Sequence, residues 1–257
     1  MVTVTTTFSR RPRYGPATMG GDLTLYISGD PIPGYLSAPD SGGPWPGVVV
    51  LHQAFGLDDD IRRITDRVAS LGYLAVAPDL VDGGGWGCIA RIARDLWRGE
   101  GNNVDTVEAV ITWLRSRADC SGKVGAIGFC MGGGYAFLLG AKQKVDVTAS
   151  NYGQIPDDLA NSCPVVASYG AEDRFLRRGA QGARAALEEA GIDNDFKIYR
   201  GAGHGFMNQA EGHRLIETLG RPLLAVGYRR DAAEDAWVRI GAFFAKYLNG
   251  ERLPQPE

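Results

Sequence analysis

The sequence predicts an α/β protein built on a mostly parallel central sheet with helices on both faces. Three observations carry this expectation. Short continuous apolar runs recur, such as Gly47–Leu51, Tyr73–Ala77 and Val124–Phe129. Such runs are the mark of strands covered on both faces. They alternate with segments of helical periodicity, and that alternation calls for parallel strands joined by helical crossovers. Finally, 257 residues with 44% apolar and 22% charged content suit one large domain with a substantial core.

Taken in order, residues 1–21 read as an irregular lead-in, rich in Thr, Arg, Pro and Gly. A single domain is expected over 22–257. Leu23–Ser28 and Ile32–Ser37 read as an opening antiparallel pair, and Gly47–Leu51 as the first buried strand. The helix after it has Asp58, Asp59 and Asp60 at its positive end and an apolar stripe of Ile61, Ile64, Val68 and Leu71, with Gly72 as its stop. Tyr73–Ala77 is the next strand. A Gly-rich loop at 83–87 then leads to helices at Ile89–Arg98 and Val104–Arg115, the latter with Val107, Val110, Ile111 and Leu114 inward. Val124–Phe129 is a strand and Gly132–Gly140 opens a helix. Val145–Ser150, Pro164–Tyr169 and Asp195–Tyr199 are strands, and a helix at 177–190 separates the last two. The final helix, Ala232–Leu248, should turn Trp237, Ile240, Phe244 and Tyr247 inward.

Composition narrows the function classes. A net charge of −3 points to neither nucleic acid nor an anionic membrane as a partner, and the densest basic run is only Arg10-Arg11-Pro12-Arg13. The N-terminus lacks the apolar core of a signal peptide, and no run approaches the roughly 20 apolar residues of a membrane span. Cys88, Cys120, Cys130 and Cys163 are irregularly spaced, which suits free thiols in a reducing cytoplasm. With three histidines and no Cys or carboxylate at ligand spacing, no metal site is expected.

The chemistry is concentrated in loops after strands, where ligands bind in such sheets. Gly128-Phe129-Cys130-Met131-Gly132 fits the nucleophile elbow G-x-S-x-G with Cys in place of Ser, between a strand and a helix. Glycines are needed there because the nucleophile occupies a strained turn with no room for neighbouring side chains. The helix N-terminus behind Cys130 favours thiolate. Tyr169-Gly170-Ala171-Glu172-Asp173 follows a later strand, and Asp173 is the expected triad acid, with Glu172 as its rival. His204 lies in Gly201-Ala202-Gly203-His204-Gly205-Phe206, after the last strand, as the expected base. The order Cys130, Asp173, His204 is that of an α/β-hydrolase. His213 falls in a polar stretch and should be exposed. His52 ends a strand and is expected to line the pocket, but it precedes the nucleophile. The oxyanion hole is expected from the backbone N–H groups of Met131 and Ala54, the latter in the turn His52-Gln53-Ala54-Phe55-Gly56.

These residues resemble the dienelactone hydrolase (carboxymethylenebutenolidase) family over about residues 22–248. The resemblance rests on Gln53-Ala54-Phe55-Gly56, Ala77-Pro78-Asp79-Leu80, Lys123 through Gly133, Asn151-Tyr152-Gly153, Gly170-Ala171-Glu172-Asp173 and Gly203-His204-Gly205-Phe206. It implies a Cys-His-Asp triad, no cofactor, and an open cleft for a small ester or lactone. Two positions depart from it. Well-studied members carry a Glu where this chain has Gln53, and an Arg where it has Asn208. That Glu takes part in substrate-triggered deprotonation of the thiol, and the Arg binds a substrate carboxylate. Arg91 or Arg94 would be a replacement cation, against a reading of both as exposed helical charges. Phe55 and Phe206 are further expected pocket residues. Residues 209–231 read as an insertion that leaves from beside His204, either a small lid or surface padding.

The expected protein is thus a cytoplasmic hydrolase of a small ester or lactone, working through an acyl-thioester as a monomer or homodimer. The alternatives are a Cys-dependent carboxylesterase or thioesterase on another substrate, and a non-catalytic ligand-binding protein of the same fold. A carboxylate at position 53 would repel the thiolate, whereas the neutral Gln53 amide does not. Gln53→Glu should therefore shift the alkylation of Cys130 to higher pH. An unchanged rate–pH profile would remove this role from Gln53.

Overall fold

The computed structural model describes residues 2–6, 18–40, 42–81, 86–209 and 227–250. The chain falls into two compact units, Met1–Ile127 and Gly128–Glu257.

The first unit carries β1 (Val2–Thr6), β2 (Thr18–Ile27), β3 (Asp30–Pro39), β4 (Trp45–Leu51), α1 (Asp59–Ser70), β5 (Leu74–Pro78), α2 (Trp86–Arg98), α3 (Asn102–Ser116) and most of β6 (Cys120–Phe129). The strand order is β1-β2-β3-β5-β4-β6. β1, β2 and β3 form an antiparallel meander, with Val2 opposite Ile27 and Leu25 opposite Ile32. β4 and β5 are parallel, with Val48 opposite Ala75. Val48 to Leu51 and Leu74 to Ala77 are fully buried, as continuous apolar runs require. Ile61, Ile64 and Val68 of α1 and the inner face of α3 complete this core. Each such side chain removed from water stabilises the fold by about 1.5–3 kcal/mol. Gly47 allows α3 to sit close, since a Cβ there would come within 2.8 Å of Leu114.

The second unit carries α4 (Met131–Ala141), β7 (Val147–Asn151), β8 (Val165–Gly170), α5 (Arg177–Glu189), β9 (Asn194–Tyr199) and α6 (Arg230–Phe244). β7, β8 and β9 are consecutive and parallel. α4 is buried from Gly132 to Gly140, so it is apolar all round rather than amphipathic. Phe137, Val165, Ala167, Tyr169, Ala183 and Leu187 pack α4 and α5 around β8. No described helix is long and apolar enough to cross a membrane.

Several boundaries correct the reading from sequence. Val2–Thr6 is a strand, where an irregular lead-in is expected; its β-branched alternation finds a partner in β2. α2 begins at Trp86, ahead of Ile89, and β6 begins at Cys120, ahead of Val124. Leu71 is exposed, not part of the inward stripe, because α1 ends at Ser70 and Gly72 turns the chain at φ +98°. Tyr247 is only half-buried. A π-turn over Ala245–Asn249 shifts the helical phase, so Leu248 goes inward instead. His213 and most of the 209–231 segment lie outside the described residues. Where the chain is described again, the Arg229 N–H donates to Phe206 O at 2.9 Å, so it has come back beside the His204 loop.

Asp58 caps α1 through its carboxylate, which accepts from the Ile61 N–H at 2.8 Å. Asp58→Ala should cost about 1 kcal/mol, read as a lower urea midpoint at unchanged slope.

Candidate active site

The elbow is built by β6 and α4 and clamped by β7. Cys130 adopts φ 55° and ψ −117° between Phe129 and Met131. A Cβ on Gly128 would lie 1.9 Å from Gly132 O, so no side chain fits there. Gly133 and Gly153 meet backbone to backbone; a Cβ on Gly153 would lie 2.2 Å from Gly133 C. This closeness lets Asn151 grip the elbow twice. Its carbonyl accepts from the Cys130 N–H at 3.1 Å, and its side-chain amide donates to Gly128 O at 3.1 Å. Ser150 and Thr148 add hydroxyl bonds to Gly133 O and Ala136 O, at 3.0 and 2.7 Å.

The expected acid and base come from the two neighbouring loops. Gly170 permits their approach, because a Cβ there would lie 2.5 Å from Ala202 O. The Glu172 N–H then donates to Ala202 O at 3.0 Å. Asp173 is fully buried. Its Oδ1 accepts from the Phe175 and Leu176 N–H groups at 3.2 and 3.3 Å, and its Oδ2 faces His204 Nδ1 at 2.8 Å. Glu172 is exposed. The geometry thus pairs His204 with Asp173 and not with its rival. The His204 ring also meets the edge of Tyr152, centroids 5.2 Å apart.

His204 and the Met131 N–H are the groups that favour the thiolate of Cys130. Burial alone would raise the thiol's pKa. The His204 charge, its hydrogen bond and the Met131 amide outweigh this and hold it below the ordinary thiol range. Burial likewise opposes the imidazolium, but the Cys130 charge and the hydrogen bond to Asp173 push His204 up to about 10. The arrangement favours a thiolate–imidazolium pair with the imidazole oriented by a buried carboxylate.

Other expected site residues fall differently. Gln53, Ala54 and Phe55 form a half-buried turn after β4. His52 is buried, with both ring nitrogens bonded inside the first unit, so it does not offer a free edge to a ligand. Phe206 is fully buried against Tyr152 and Tyr199, so it supports the His204 loop instead of facing a substrate. Asn208 is buried and accepts a short hydrogen bond from the Tyr152 hydroxyl. Arg91 and Arg94 are exposed and bond within their own helix, to Cys88 Sγ at 3.4 Å and to Asp95 at 3.1 Å. That is the exposed-charge reading of both. Sequence reasoning gave no role to Asn151 or Tyr152. The only local sign was a strand ending in Asn-Tyr-Gly, and Tyr152 indeed turns at φ +41°.

A strand–Cys–helix elbow with a carboxylate–imidazole pair on later strand ends, set on a mostly parallel sheet with helices, is the arrangement of an α/β-hydrolase fold. The model of the Dienelactone hydrolase family matches residues 32–248. The chain belongs to that family, and is thereby a hydrolase of carboxylic esters and lactones. A Yersinia pestis protein assigned by name to the carboxymethylenebutenolidases is 28% identical over 259 residues, covering 92% of this chain and 91% of its own. Protein usf of Aquifex pyrophilus is 29% identical, covering 90% of this chain and all of its own. Among solved structures, a dienelactone hydrolase-like promiscuous phosphotriesterase from metagenomic libraries is similar at a TM-score of 0.75 and 23% identity, covering 90% of this chain and 99% of its own.

The pKa directions set a reactivity window. Thiolate exists above the lowered pKa of Cys130, and its cationic partner persists until pH climbs through about 10. Iodoacetamide should therefore alkylate Cys130 at pH values well below the ordinary thiol range, with a second inflection near pH 10. Asp173→Asn should move the first inflection upward, because the imidazolium loses its counter-charge. Mass spectrometry of the labelled peptide reads this; a single ordinary thiol titration would contradict the ion pair.

Proposed function

We propose that the chain hydrolyses a small, uncarboxylated ester or lactone through an acyl-thioester on Cys130, with His204 as acid and base and Asp173 as its orienting carboxylate. The observation that carries this is the contiguity of the three groups. His204 Nδ1 lies 2.8 Å from the fully buried Asp173, and the ring's other partner is the Cys130 sulfur. A structural thiol has no use for a buried carboxylate–imidazole relay.

In the resting pair the thiolate attacks the carbonyl carbon, and the carbonyl π electrons move onto oxygen. The Met131 N–H, which favours the thiolate at rest, donates to this oxyanion as charge leaves the sulfur. Collapse expels the alcohol oxygen, which takes the proton of His204. The neutral imidazole then deprotonates water, which attacks the thioester, and Cys130 departs as thiolate. Asp173 stays ionised and holds the tautomer.

Support for an uncarboxylated substrate comes from Asn208. Where the resembling enzymes carry a cation, this chain has a neutral amide bonded to the Tyr152 hydroxyl. Arg91 and Arg94 are engaged on their own helix.

A panel of short-chain p-nitrophenyl esters and simple lactones tests the proposal. Cys130→Ala should lower kcat by about a thousandfold or more, and a rapid quench of the wild type should trap an acyl adduct on Cys130 by mass spectrometry. Equal rates for wild type and variant across the panel would leave a ligand-binding protein. A marked preference for a carboxylated lactone would overturn the assignment from Asn208.

A further inference from the structure

Tyr152 touches the imidazole of His204 and has no step in the chemistry proposed above. Its backbone is held in the left-handed region at φ +41°, where a bulky side chain is strained. The surroundings fix it there. The Tyr152 N–H donates to Ser168 O at 2.8 Å. Asn151, just before it, carries the two bonds that grip the elbow, and Gly153, just after it, lies against the Gly133 backbone. The Tyr152 side chain is therefore anchored to the same backbone that holds Cys130.

From this anchor the side chain reaches the base in two ways. Its ring is fully buried and meets the His204 ring at 62°, centroids 5.2 Å apart. Its hydroxyl donates to Asn208 Oδ1 in a short hydrogen bond. Asn208 in turn closes the turn that follows His204, through its N–H to Gly205 O at 3.0 Å. Gly205 sits at φ +73°, and Phe206 packs on the Tyr152 ring, centroids 5.4 Å apart. An arginine has only donors, so Arg at position 208 could not accept this bond; the amide can.

The imidazole needs a second constraint. A histidine's χ2 lies in a broad well, so the bond between Nδ1 and Asp173 at 2.8 Å fixes one corner of the ring and leaves its tilt loosely set. In the proposed reaction the ring serves sulfur, leaving oxygen and water in succession, and a small misplacement at any of them is costly. We infer that Tyr152 is a positioning residue for the base: its hydroxyl, through Asn208, holds the turn behind His204 while its ring flanks the imidazole. This rests on the proposal that His204 is the base. Asn208 is thereby a strut and not a substrate subsite.

Tyr152→Phe removes the hydroxyl and keeps the ring; Asn208→Leu removes the acceptor at similar volume. Each should lower kcat on the short-chain ester panel about tenfold with KM nearly unchanged, as for a group needed in the transition state and not for binding. The double variant should be no slower than either single one, because the two residues act through one bond. In iodoacetamide labelling of Cys130, each variant should bring the second inflection down from about pH 10, since a looser ring is a poorer partner for Asp173 and the thiolate. A Tyr152→Phe variant with wild-type kcat and an unmoved inflection overturns the inference. So do losses that multiply in the double variant and follow the melting temperatures with the inflection unmoved, which is the behaviour of packing. If the variants do not fold, proton NMR of the wild type decides: a slowly exchanging Tyr152 hydroxyl proton with a cross-peak to the Asn208 side chain supports the strut, and a freely exchanging one overturns it. The base reading is judged separately by His204→Ala. Undiminished turnover in that variant sinks the reading of His204 as base, whereas lost turnover there beside an unaffected Tyr152→Phe sinks the strut alone.

Discussion

Cys130 is a non-glycine residue held at positive φ, and the site depends on keeping it there. A conformation of this kind costs on the order of 1–3 kcal/mol and persists only where the surroundings over-determine it. Here they do. Gly128, Gly133 and Gly153 remove every Cβ that would keep α4 away from β6 and from the end of β7. Asn151 then bonds the elbow twice, at Gly128 O and at the Cys130 N–H. The strain presents the sulfur beyond the strand end with the helix N-terminus behind it. Relaxing the turn would lose the glycine packing and the Asn151 bonds together.

The same economy of backbone contacts serves the acid and base. The acid loop is tied to the base loop through Glu172 N–H and Ala202 O, so Asp173 and His204 are set by main chain before their side chains meet. Asp173 spends one oxygen on its own loop and the other on the imidazole. A carboxylate this deeply buried is tolerable only because both oxygens are bonded. Its charge in turn makes an imidazolium acceptable beside a thiolate, and each of these two ions lowers the cost of the other.

Membership of the dienelactone hydrolase family explains the elbow and the order of the three residues. It leaves open the features in which this chain differs from the members it resembles. Both differences remove charge: an amide at position 53 and an amide at 208, the latter bonded to Tyr152. The proposal of a neutral substrate and a thiolate that is ready at rest follows from these two substitutions.

Much was legible in the residues because it is local. Continuous apolar runs mark buried strands wherever they later pair. The elbow is a five-residue pattern whose glycines answer a steric demand within those same five residues. Chain order nominated Cys130, Asp173 with Glu172 as its rival, and His204. What sequence could not decide was anything settled by distant partners. Asp173 and not Glu172 meets His204, one being buried and the other exposed, a difference that adjacent carboxylates do not advertise. Val2–Thr6 is a strand because β2 lies beside it, and Tyr247 leaves the core because a π-turn shifts the phase. Asn151 matters through contacts made across 21 residues or more of chain. His52 turns no free ring edge to a ligand because the Leu80 N–H, 28 residues away, donates to its ring. The chemistry was written in short motifs; the orientation of each group was decided by long-range backbone contacts, which leave no periodicity to read.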